Sequence, residues 1–131
     1  MVASETIAAW RQEIATELAE ARAQLADAEV EAESAEAAAP AATAAHDAIT
    51  KALGILGQRP LATALARRIE DGADEARRAA GRLARARVAV KSLRLRIDDL
   101  RTALEQIDTI APAVNPEAAD EHEPDMSEAL A

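Results

Sequence analysis

Apolar residues fall on two heptad seams that share one fold-back register, and this constrains the fold more than any other feature of the chain. The first seam runs through Ile7, Arg11, Ile14, Leu18, Ala21, Leu25, Ala28, Ala32, Ala35, Ala39, Ala42, His46, Ile49, Leu53 and Leu56. The second runs through Ala62, Leu65, Ile69, Gly72, Ala76, Ala79, Leu83, Ala86, Val90, Leu93, Ile97, Leu100, Leu104, Ile107 and Ala111. Steps of four and three alternate without a slip, the pattern of helices that supercoil around a partner. If the chain folds back between the seams, every seam residue meets another. Leu56 then faces Ala62, Ile49 faces Ile69, Leu25 faces Leu93 and Leu18 faces Leu100. Independent helices have no reason to share a register, so the pattern predicts an intramolecular, all-α, antiparallel two-helix coiled-coil hairpin.

The chemistry between the arms agrees. Gly57-Gln58-Arg59-Pro60 offers a glycine for the position past a helix end and a proline for the first turn of the next helix. The predicted elements are a helix over about 4–56, a turn over 57–60 and a helix over about 61–111. Ser4 or Thr6 is the expected N-cap. Pro112 and Pro116 are the expected stops of the second helix. Pro40 removes a backbone donor inside the first arm and predicts a kink or a break there. The kink is favoured because the seam stays in phase through Ala39, Ala42 and His46.

Alanine accounts for 37 residues against 12 leucines, 8 isoleucines and 5 valines, with one Trp and no Phe or Tyr. Alanine has the best helix propensity and buries little area. Long helices touching along a narrow seam suit this composition better than a thick core. With no cysteine there is no disulfide, thiolate metal site or Cys nucleophile. No run is apolar enough for a membrane span, and the N-terminus lacks a signal-peptide pattern. The expected location is cytoplasmic, or the virion if the chain is phage-encoded.

The net charge of −9 is unevenly spread. The first arm is acidic, the second basic, and the segment from Pro112 to Ala131 acidic. Arms of opposite sign are expected to pair. Glu29 and Arg87 occupy matching positions beside the seam and are the expected inter-arm ion pair. Exposed pairs of this kind choose register more than they stabilise. The 112–131 tail is expected to be disordered, with Met126 and Leu130 as a short docking face.

Four features invite a functional reading. His46 faces Gly72 on the seam and could form a pH-sensitive latch; the simpler expectation is a packed imidazole with a local hydrogen-bond partner. His122, within Asp120-Glu121-His122-Glu123, is one imidazole in an acidic run and a poor metal ligand set. The basic block Arg77, Arg78, Arg82, Arg85, Arg87, Lys91, Arg94, Arg96 resembles a nucleic-acid footprint. On the heptad wheel, however, it flanks the seam, with Gly81, Val88 and Leu95 outermost, and no aromatics accompany it. Finally, a second apolar stripe runs along the back of the first helix through Ala19, Ala23, Ala26, Val30, Ala37, Ala41, Ala44 and Ala48. Helix propensity alone could place alanine there, but Val30 is a poor helix former. The stripe is the expected self-association face.

No phosphate-binding loop, nucleophile–base set or deep cleft is expected on two helices. The chain is read as not an enzyme, with no cofactor and no metal. Its outline resembles small secreted helical hairpins of the WXG type, although the Gly57-Gln58-Arg59-Pro60 turn lacks their Trp-x-Gly. It also resembles the acidic helical scaffolding and accessory proteins of tailed phages. The expected function is a non-enzymatic coiled-coil structural or assembly protein, in the manner of a phage or virion component, whose partners are proteins including its own copies. The alternative is a regulatory adaptor or chaperone that binds a protein partner through the acidic tail. A nucleic-acid-binding helix pair comes third.

Overall fold

A computed structural model describes residues 2–114 of the chain. They form an all-α helical hairpin: α1 spans Val2–Ala52, a 3₁₀ turn spans Leu53–Leu56, and α2 spans Thr63–Val114. The acidic tail from residue 115, with His122, Met126 and Leu130, lies outside the described residues.

The connection is built as its composition requires. The Gly57 N–H bonds the Gly54 carbonyl at 3.1 Å, and Gly57 adopts φ 64°, which penalises any side chain. Ala62 starts α2 by accepting from the N–H groups of Leu65 and Ala66. Residues 59–62 stay irregular, so α2 begins two residues later than the proline predicted.

Two helix boundaries differ from expectation, while at Pro40 the helix continues, as the in-phase seam favoured. α1 is already helical at Val2, so Ser4 and Thr6 are not caps; Thr6 Oγ1 instead donates back to the Val2 carbonyl at 2.9 Å. α1 passes through Pro40 unbroken. Ala35 and Ala39, on the turn before the proline, are 1% and 6% exposed, so packing holds the helix where one backbone bond is lost. α2 likewise continues through Pro112 to Val114. There the seam residues Ile107 and Ala111 are already packed or half-buried, and a proline in the last turn removes a single donor.

The helices divide into two compact units. The terminal unit joins residues 2–24 with residues 93–114. Its buried residues are Ile7, Leu18 and Ala21 on α1 and Ile97, Leu100 and Ile107 on α2. The hairpin unit is Leu25–Ser92, with Ala35, Ala39 and Ala86 buried. Every buried residue lies on a predicted seam. The hairpin unit is direct on register: a Cβ built on Gly72 would lie 3.6 Å from His46 Nδ1. That distance is ordinary contact, so a methyl would fit and the glycine is not needed to make room.

Packing fades near the turn. Ile49 is 52% and Leu65 36% exposed, and Ala62 is exposed as well. The expected seam assumed α-helix through Leu56. Leu53–Leu56 instead form a 3₁₀ turn, in which Leu53 and Leu56 are half-buried.

Candidate functional site

Among the described residues, the features able to engage a partner are helix faces and the charges on them. In the terminal unit, Arg11 forks onto Asp108, with Nε donating to Oδ1 at 2.8 Å and Nη2 to Oδ2 at 3.5 Å. The seam arginine therefore ties the two helices together. Glu17 and Arg96 lie 4.0 Å apart. In the hairpin unit, Arg82 Nε donates to Glu31 Oε1 at 2.7 Å. Arg87 pairs with Glu36 at 3.7 Å, one heptad along from the Glu29 expected opposite it. Antiparallel flanks offer each arginine two partners a heptad apart, and seam spacing does not choose between them.

The two hydrogen-bonded pairs that join the helices perturb their acids. The hydrogen bond from Arg11, aided by its charge, holds the Asp108 carboxyl below its ordinary value of 3.8. Arg82 does the same to Glu31, below 4.5. Both arginines are raised in return. A carboxyl lowered in the folded state stabilises fully above its unfolded value. That contribution is lost as pH falls through the lowered folded value. Melting temperature should therefore fall with acidification below about pH 4.5. Arg11→Gln with Arg82→Gln should flatten that limb, as should high salt, because all four groups are exposed. An acid limb identical in the double variant would show that the pairs contribute nothing.

His46 is half-buried against Gly72. Its side chain makes no hydrogen bond to another described residue, so the expected local partner is absent. Its backbone carbonyl accepts from Thr50 Oγ1 at 2.9 Å.

The basic block splits in two. Arg82, Arg87 and Arg96 reach carboxylates on α1, and Arg77 bonds Asp74 in its own helix. Arg78, Arg85 and Lys91 are exposed and have no partner among the described residues. The expectation that the whole block flanks the seam is thus corrected. The heptad places Arg77, Arg78, Arg85 and Lys91 on the outer half of α2, beside Val88.

The predicted stripe on α1 is exposed throughout: Ala19 and Ala23 in the terminal unit, and Ala26, Val30, Ala37, Ala41, Ala44 and Ala48 in the hairpin unit. Val30 is 68% exposed and Val88, on the back of α2, 63%. Sequence reasoning passed over Trp10, which is 51% exposed in the terminal unit; its place off the seam between Ile7 and Arg11 was the available signal. Among the described residues, no helix is long and apolar enough to cross a membrane, and no group of three or more His, Asp or Glu could hold a metal ion. No family model, curated protein or solved structure matches the chain.

Proposed function

We propose that this chain is a non-enzymatic coiled-coil assembly subunit that associates with further copies of itself. One contrast carries the reading. The seam is so thin that no large side chain among the described residues is fully buried, while Val30, Val88 and Leu95 remain about two-thirds exposed on the backs of the helices. Each alanine standing where a leucine could pack forgoes roughly 2 kcal/mol of apolar burial. Small scaffolds with such a core commonly recover stability by oligomerising.

Sedimentation equilibrium over a wide concentration range should show a dimer or larger species. Ala23→Glu with Val30→Glu should dissociate it without loss of helical circular dichroism. A stable single-chain mass at the highest concentration would overturn the assembly reading. Removing residues 115–131 should leave association intact; its loss would transfer the activity to the acidic tail.

A further inference from the structure

Within the hairpin unit the two helix backs carry opposite charge around the same apolar spacing. On α1, Asp27 and Glu33 stand three residues before and after Val30; on α2, Arg85 and Lys91 stand three residues before and after Val88. All six are exposed. Neither Asp27 nor Glu33 makes an ion pair among the described residues, and neither do Arg85 and Lys91. Arg78 extends the basic row by a heptad, again without a partner. A shallow, mostly apolar groove lies beside Val88, lined by Ala84, Arg85 and Ala89.

Resting on the assembly reading above, we infer that the back of α1 in one copy docks on the back of α2 in the next, placing Asp27-Val30-Glu33 against Arg85-Val88-Lys91. The alternative, α1 against α1, sets Asp27 and Glu33 against their own copies, and like charges across an interface are repulsive. The α2-to-α2 contact repeats that conflict with Arg78, Arg85 and Lys91. Only the mixed contact pairs unlike signs while covering both valines. It is heterologous: each copy offers one face and uses the other, so assembly proceeds to a ring or an open row. A polyanion such as nucleic acid is the competing occupant of the basic row. The net charge of −9 opposes it, and the matching acidic triplet lies on the same chain.

The test uses two charge-reversed full-length chains. Arg85→Glu with Lys91→Glu makes both backs acidic; Asp27→Lys with Glu33→Lys makes both basic. Circular dichroism of each should stay near wild type, since the residues changed are exposed, and melting should match that of wild type at concentrations too low for it to associate. Each variant alone should sediment as a single chain at concentrations where wild type associates, and an equimolar mixture should recover the associated species. Wild-type association that survives in the Arg85→Glu/Lys91→Glu chain would overturn this geometry while leaving self-assembly standing through another face. A wild-type chain that never associates would overturn both. A double-stranded oligonucleotide bound by wild type and lost in Arg85→Glu/Lys91→Glu, without self-association, would assign the basic row to nucleic acid.

Discussion

Leu100→Ala should lower the free energy of unfolding by about 2–5 kcal/mol, and Leu95→Ala, five residues away on the same helix, by less than about 0.5 kcal/mol. Leu100 is 6% exposed and Leu95 63%. The register places Leu100 opposite Leu18, itself 7% exposed, so truncation removes one large apolar layer of the terminal unit. For a chain of this size the melting temperature should fall by roughly 10 °C or more. Scans must be compared at one protein concentration, because association would couple stability to mass action. Equal effects at the two leucines would show that the seam does not hold the terminal unit together.

The contrast matters because large buried side chains are scarce here. The terminal unit concentrates them, with Ile7, Leu18, Ile97, Leu100 and Ile107 all buried, whereas the hairpin unit buries only alanines. Lateral association through Val30 and Val88 would add apolar contact to the unit with the thinner seam. The inferred docking face and the weaker core thus fall in the same stretch of chain.

The seams were legible in the sequence because burial in a two-helix hairpin depends on a single periodicity. Position alone decides whether Ala21 or Ala23 is covered, and Ala21 is 1% exposed while Ala23 is exposed. Where local chemistry competes with periodicity, reading by pattern failed. Pro112 was taken as a stop, yet α2 carries it in its last turn. The seam periodicity covers Ile49 and Leu65, yet both are exposed near the turn. Arg87 reaches Glu36, a heptad along from Glu29, since long side chains choose among neighbours by rotamer. Treating the basic block as one unit hid that Arg78, Arg85 and Lys91 face outward while Arg82 and Arg87 face α1.

Ala35→Leu and Ala42→Leu are the same chemical change one heptad apart on one seam, and they should have opposite signs. Ala35 is 1% exposed, so its methyl is already enclosed. Three further carbons must push the helices apart or leave their preferred rotamer, at a cost of about 1–3 kcal/mol. Ala42 is half-buried and lines a shallow cavity with His46, Ile49 and Gly72. A leucine there can fill open space and cover part of Ile49, which is 52% exposed. The gain should be on the order of 1 kcal/mol, below the roughly 2 kcal/mol that full burial of three carbons would bring. Alanine and leucine have nearly equal helix propensity, so the backbone term cancels in both variants. Denaturant midpoints should move down for Ala35→Leu and up for Ala42→Leu with unchanged slopes. Two upward shifts would mean that the hairpin unit is loose enough to take volume anywhere along its seam; two downward shifts would mean that the cavity beside Gly72 closes in solution.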